Sequence, residues 1–145
     1  MIRPAQKGDE YEIMELIHGL ALYEKAPEQV VNTAEDLGIH LFDEGICDAI
    51  VAEKDTRIVG FALFYTNYST WKGKCLYLED FYVLPEVRGE GIGSLLFDRV
   101  VEIAKERGVK RMDWQVLDWN ESAIQFYQKK GATLDPEWVN GRFFF

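Results

Sequence analysis

Leu76-Tyr77-Leu78-Glu79-Asp80-Phe81-Tyr82-Val83 leads into Arg88-Gly89-Glu90-Gly91-Ile92-Gly93, and the order of these two stretches decides the fold. Lys74 to Leu84 is apolar except for the acidic pair Glu79-Asp80, the pattern of a central strand. Gly91 to Gly108 reads as a helix, with Ile92, Leu95, Leu96, Val100 and Ile103 on one face and a glycine as its stop. The glycines between them permit a tight turn and a close backbone approach at a helix start, where free N–H groups and the positive dipole end favour a pyrophosphate. A plain turn would use glycines too, so the loop alone leaves both readings open. A P-loop is excluded because no Gly-Lys-Ser/Thr follows, and Gly89, Gly91 and Gly93 do not reproduce the Gly-x-Gly-x-x-Gly of a dinucleotide fold.

Outward from this centre, strand and helix signals alternate. Ile2 to Pro4 resembles a short first strand, and Ile13, Leu16, Ile17 and Leu20 make residues 9 to 24 an amphipathic helix. Thr33 caps a second short helix reaching about Phe42, and Ala49 to Glu53 pairs with Ile58 to Tyr65 across Lys54-Asp55-Thr56 as a hairpin. On the other side, Lys110 to Leu117 reads as a strand, Asn120 caps a helix to about Lys130 stopped by Gly131, and Phe143 to Phe145 makes a final apolar edge. The expectation is a single α/β domain over residues 1 to 145, with helices on both faces of a sheet.

Bulk properties narrow the functions. A chain of 145 residues suits one substantial core. The formal charge of -9 disfavours nucleic acid and suits a cationic substrate. Met1-Ile2-Arg3-Pro4 opens without a signal-peptide h-region and no apolar run is long enough for a bilayer, so a soluble cytoplasmic chain without membrane contact is expected. Cys47 and Cys75 have no Cys-x-x-Cys or His-rich neighbourhood, which favours buried free thiols and no metal.

Arg88-x-x-Gly91-x-Gly93 resembles the acetyl-CoA pyrophosphate loop of the GNAT superfamily, and the later run Trp119-Asn120-Glu121-x-Ala123-x-x-Phe126-Tyr127-x-x-x-Gly131-Ala132 matches a second motif of the same family. With Leu22-Tyr23-Glu24 and the block from Leu76 to Val83, the likeness narrows to the spermidine/spermine (diamine) acetyltransferases and their thialysine-acetylating relatives, over nearly the whole chain. The resemblance implies the GNAT acyl-CoA N-acyltransferase fold, a mixed and mostly antiparallel central sheet, acetyl-CoA as cosubstrate, a small amine as acceptor and a homodimer. The chain departs from the relatives by lacking an insertion between its second and third strands and by stopping at Phe145 where they continue.

The resemblance also implies roles. Phe81, Tyr82 and Val83 would contact the pantetheine; Arg88, Gly89, Glu90, Gly91, Ile92, Gly93 and Ser94 the pyrophosphate; Asn120, Ser122 and Ala123 the cofactor as well, with Asn120 also a helix cap. Tyr127 matches the general acid that returns a proton to the thiolate, a task a phenol with pKa near 10 can perform while staying neutral. Its spacing from Ile124 equally suits a core aromatic. Glu79 matches a glutamate assigned to taking the proton of the ammonium. Period-2 alternation puts Glu79 on one face with Tyr77, Phe81 and Val83, where burial would raise its pKa, and puts Asp80 on the opposite face as a structural residue. Tyr23 and Glu24 correspond to substrate-side residues, and Trp71 to an aromatic that lines the amine channel or simply packs. For Glu28, Asp113 and Gln115 the solvated-surface reading stands beside the substrate one.

The mechanism expected is direct transfer without an acetyl-enzyme, in an opened V between the central strand and residues 110 to 117, with a backbone N–H near Val83 polarising the thioester carbonyl. A ping-pong route through Cys75 lacks a nearby base. The rivals are acetylation of another primary amine, in an amino acid, an aminoglycoside or a protein lysine, and a non-catalytic acyl-CoA sensor. A sensor would not need both Glu79 and Tyr127.

Overall fold

The computed structural model describes residues 1–145 and forms two compact units, Met1–Trp114 and Gln115–Phe145. The first holds a five-stranded sheet in the order β1-β2-β3-β4-β5, built from Ile2–Pro4, Asp48–Lys54, Arg57–Ser69, Gly73–Val83 and Met112–Asp113. Neighbours from β1 to β4 are antiparallel, and β5 lies parallel to β4. The β2–β3 hairpin turns through Asp55 and Thr56, both with positive φ (51° and 64°), as a two-residue turn whose twist matches the strands requires.

Helices cover both sheet faces. On one, α1 (Glu10–Tyr23), α2 (Ala34–Gly38) and the turn that follows it set Ile13, Leu16, Leu37 and Leu41 against Ala49, Val51, Phe61 and Tyr82. Burying a side chain such as Ile13 or Leu16 contributes about 1.5–3 kcal/mol, against a few tenths from helix propensity, so packing decides that α1 forms. Thr33 caps α2 by accepting from the Asp36 N–H at 3.1 Å, as expected, and the chain then widens into a π-helical turn over Ile39–Asp43.

On the opposite face lies α3 (Ile92–Glu106), which buries Leu96, Phe97, Val100 and Ala104. The stripe read from the sequence shares Leu96 and Val100 with this face, but Leu95 is 59% exposed, and Phe97 takes the core place between Phe81 (ring centroids 5.9 Å) and Trp114 (5.4 Å). The second unit contains α4 (Glu121–Lys129), capped by the Asn120 side chain accepting from the Ala123 N–H at 3.3 Å and stopped at Gly131 with φ 88°.

Two expected strands change. Lys110 to Leu117 forms a strand only at Met112–Asp113, because the parallel ladder holds just Leu76↔Met112 and Tyr77↔Asp113. The next turn of β4 contains a bulge, and bulges end pairing by bending the strand. Phe143 to Phe145 forms no strand and stays exposed, since a lone apolar triplet without a partner strand has nothing to pair with. Cys75 is buried and Cys47 half-buried, both free. No helix is long and apolar enough to cross a membrane.

Candidate active site

The bulge in β4 rearranges the acidic pair. The ladder steps from Leu63↔Asp80 to Phe64↔Leu78, leaving Glu79 as the extra residue. Beyond it, Phe81 and Val83 face α3, where a Cβ built on Gly93 would lie 3.6 Å from the Phe81 ring and 3.8 Å from Val83. Tyr82 packs in the α1 core, and Asp80 lies opposite Leu63, which packs there too. Before the bulge, Tyr77 stacks on Tyr65 with ring centroids 5.4 Å apart, and the Tyr65 hydroxyl donates to Glu79 Oε1 at 3.1 Å. Glu79 and Asp80 therefore share the α1 side with Tyr65 and Tyr77.

This overturns the alternation read from the sequence, which placed Glu79 with Phe81 and Val83 and Asp80 opposite; only the pairing with Tyr77 survives. The expected burial moves as well. Glu79 is exposed, whereas Asp80 is half-buried and its carboxyl is pushed up to about 7, by desolvation first and then by the like charges of Glu79 and Glu24. Glu24, half-buried at the end of α1, is itself raised by desolvation. Burial, with the Glu79 charge and hydrogen bond behind it, pushes the Tyr65 phenol up to about 12, so it remains a donor at any working pH.

The glycine loop is built as the sequence suggested. Gly89 and Gly91 have φ of 88° and 83°, which disfavour any side chain, and nothing lies within 4 Å of a Cβ built on either. Gly91 precedes Ile92 as the N-cap of α3 with no side-chain cap, so the positive end of a four-turn helix meets open space beside the loop. These features fit a pyrophosphate held by backbone N–H groups, with Ile92, Gly93 and Ser94 in the first helical turn.

The Arg88 side chain turns away from that turn. Its Nε donates to the Val83 carbonyl at 3.1 Å, and its guanidinium lies over the rings of Tyr23 and Tyr82, 5.5 Å from each centroid. Glu90 pairs with Lys54 at 2.5 Å and Glu86 with Arg57 at 3.6 Å, tying the loop to the β2–β3 hairpin. Sequence reasoning missed both anchors. The acid-base pairs join segments more than 25 residues apart, and local pattern carries no signal for them.

Other expected residues scatter. Trp71 is 90% exposed at the β3–β4 turn, so the packing alternative for it fails. Asp113 is engaged by Arg111 at 2.8 Å, and Glu28 is exposed in a short 3₁₀ turn at Pro27–Gln29. In the second unit, Gln115 donates to the Asn140 side chain at 2.9 Å, and the Ser122 hydroxyl donates to Asn120 at 3.3 Å. Tyr127 is buried on α4 with its ring edge-on to Phe126 at 5.4 Å. Sequence reasoning also missed Tyr65, for which Tyr-x-Asn-Tyr at the end of an apolar strand gives no distinguishing signal.

Residues 12–132 match the model of the acetyltransferase (GNAT) family. A thialysine N-epsilon-acetyltransferase of Bos taurus is 43% identical over 141 residues, covering 91% of this chain and 83% of that protein. A spermidine/spermine N(1)-acetyltransferase-like protein of Homo sapiens is 37% identical over 139 residues, or 90% of this chain and 20% of its own length. An aminoglycoside acetyltransferase from an uncultured soil metagenomic sample, solved with trehalose, superposes with a TM-score of 0.81 over 100% of this chain and 95% of its own, at 19% identity, which bears on fold alone. With a bulged central strand, an open glycine turn on an uncapped helix, and a family match over most of its length, the chain belongs to the acetyltransferase (GNAT) family.

Proposed function

We propose that this acetyltransferase moves the acetyl group of acetyl-CoA to a primary amine of a small cationic substrate, a polyamine, diamine or thialysine-like molecule, by direct attack. The observation that carries the reading is the α1 side of the β4 bulge. There Glu79, Asp80 and Glu24 gather beside the Tyr65 and Tyr77 rings, an anionic and aromatic surface of the kind that receives an ammonium. The relatives named for thialysine and spermidine or spermine support the same substrate class.

Acetyl-CoA supplies an activated thioester. The backbone of Gly89 to Ser94 and the open end of α3 would hold its pyrophosphate, and the β4 segment beyond Tyr77, where β5 no longer runs alongside, would pair with the extended pantetheine as an added strand does. Asn120, Ser122 and Ala123 would hold it from the start of α4, and Tyr127 would return a proton to the departing thiolate. Tyr23 and Glu24 would receive the far amine of a longer substrate. The exposed apolar residues Trp138, Val139 and Phe143 to Phe145 support a homodimer.

Thiol release from acetyl-CoA against a panel of spermidine, putrescine, thialysine, lysine, an aminoglycoside and a lysine peptide tests the reading. Turnover should be highest on the small di- and polycations, and Tyr127→Phe should lower it about 10²–10⁴-fold with acetyl-CoA affinity unchanged. Acetyl-CoA binding with no turnover on any amine would favour the sensor, and equal turnover in Tyr127→Phe would return that ring to a packing role.

A further inference from the structure

We propose that Lys54, at the turn of the β2–β3 hairpin, is a positioning residue for acetyl-CoA: by pairing with Glu90 it neutralises and draws aside the one carboxylate of the glycine loop, and so sets the affinity of that loop for the pyrophosphate. This rests on the function proposed above, which gives the loop its ligand.

Glu90 is an acid in a place built for an anion. It lies between Gly89 and Gly91, whose φ of 88° and 83° alternate with its own negative φ. Such alternation gathers backbone N–H groups into a concavity that suits a phosphate, and the uncapped start of α3 adds the positive end of its dipole at the same point. A carboxylate free to swing over these groups would compete with the phosphates for them and repel the phosphates as well. Arg88 does not supply the missing positive charge, because its guanidinium is turned to the rings of Tyr23 and Tyr82.

The hairpin removes the conflict. The sheet runs β2-β3-β4-β5, so the β2–β3 turn lies on the side of β4 away from β5 and away from the edge left for the pantetheine. There Glu90 Oε1 meets Lys54 Nζ at 2.5 Å. The position of Lys54 follows from the turn: Asp55 and Thr56 close the hairpin in two residues, which makes Lys54 and Arg57 direct cross-strand partners on one face. From that face Arg57 reaches Glu86 at 3.6 Å, so two bases of the turn meet two acids of the segment that leads from β4 into α3. The Lys54 pair is the closer and the better shielded of the two, with side chains 43% and 44% exposed against 65% and 61%. A partly exposed pair contributes little to stability, and its weight falls on binding. With Lys54 in place the Glu90 charge is compensated and the loop N–H groups are left to the ligand; without it the pyrophosphate meets an unpaired negative charge.

The test is acetyl-CoA binding by calorimetry, with kcat and KM on the best amine of the panel, for the parent, Lys54→Met, Lys54→Arg, Glu90→Gln and the double variant Lys54→Met with Glu90→Gln. Lys54→Met keeps the stem and should weaken acetyl-CoA binding about 3–10-fold, raising its KM while kcat and the amine KM stay unchanged. The loss should fade as salt rises. Lys54→Arg should bind as the parent does. Glu90→Gln removes the charge that has to be compensated and should bind at least as tightly as the parent, and in the double variant the loss should shrink to less than about twofold. S-acetylpantetheine, which has the thioester arm and no pyrophosphate, supplies a readout that mere bracing of the hairpin would not give: its KM should be the same in the parent and in Lys54→Met. Unchanged acetyl-CoA affinity in Lys54→Met, a full loss that persists in the double variant, or an equal loss with both donors would overturn the proposal while the acetyltransferase reading stands. Absence of acetyl-CoA binding by the parent would overturn the proposed function itself.

Discussion

The first unit contains two clusters of carboxylates on its sheet, and they are opposites. At the outer edge, Arg3 on β1 reaches Asp9 at 2.7 Å and Glu53 on β2 at 2.9 Å, with further bonds from the same guanidinium, and the Asp9 carboxyl is held below its usual range chiefly by that bond. At the centre, Glu79, Asp80 and Glu24 converge with like charges, and the Asp80 carboxyl is raised instead. The edge cluster is compensated and ties β1, β2 and the start of α1 together. The central one is left short of positive charge, a condition that costs stability and is met when a cationic substrate arrives.

The largest effect follows from that contrast. Asp80 is raised from 3.8 to about 7, so folding disfavours its ionised form; the cost is absent below about pH 4, where folded and unfolded chains both hold the proton, and grows until about pH 7. Asp80→Asn should therefore raise stability at pH 7 by up to about 4 kcal/mol and by little at pH 4. Urea unfolding of both proteins across this range measures it. A difference independent of pH would mean that Asp80 is not raised by its folded surroundings.

The sequence shows the first of these clusters no better than the second, and for different reasons. Order and type of the elements were legible because Ile13, Leu16, Ile17 and Leu20 keep helical period and Lys54 to Arg57 frames a two-residue turn. The glycine loop was legible because φ near 85° at Gly89 and Gly91 leaves little choice of residue. A bulge is not local: it depends on how β4 pairs with β3, and one extra residue is enough to reverse every face assigned beyond Glu79. Hence Phe81 and Val83 were grouped with Glu79 although they face α3, and Asp80 was set aside. The Arg3 cluster needs residues 50 positions apart to meet, which no window along the chain detects.

A smaller effect should come from the compensated cluster, with the opposite dependence on pH. Asp9 is lowered in the folded chain, so its contribution is complete above the unfolded value near 4 and is lost as pH falls through its folded value. Arg3→Met keeps the stem and removes the charge, and should cost about 1–2 kcal/mol at pH 7, discounted because the pairs remain partly open to solvent. The same urea series should show the two proteins converging below pH 4. Persistence of the full loss in acid would assign the effect of Arg3 to packing of its stem.

The smallest effect tests whether the central cluster trades stability for affinity. Glu24 is the C-cap residue of α1, where a negative charge opposes the helix dipole, and its half-buried carboxyl is raised by desolvation while its charge raises Asp80. Three unfavourable effects thus converge on one side chain, and the hydrogen bonds at that cap are donated by backbone N–H groups to the Leu20 and Leu22 carbonyls, which a substitution leaves in place. Glu24→Gln keeps the length and removes the charge. Stability at pH 7 should rise by about 0.5–1 kcal/mol, with the gain shrinking in salt as the repulsion it relieves is screened. If the charge is kept for a cationic substrate, the same change should raise the amine KM about 3–5-fold, the equivalent of that energy, and leave acetyl-CoA affinity unchanged. The two readouts must move in opposite senses. A gain in stability with no change in KM would leave Glu24 an acid at a helix end without a part in amine binding, and no gain in stability would mean that the central cluster is relaxed by something other than a bound cation.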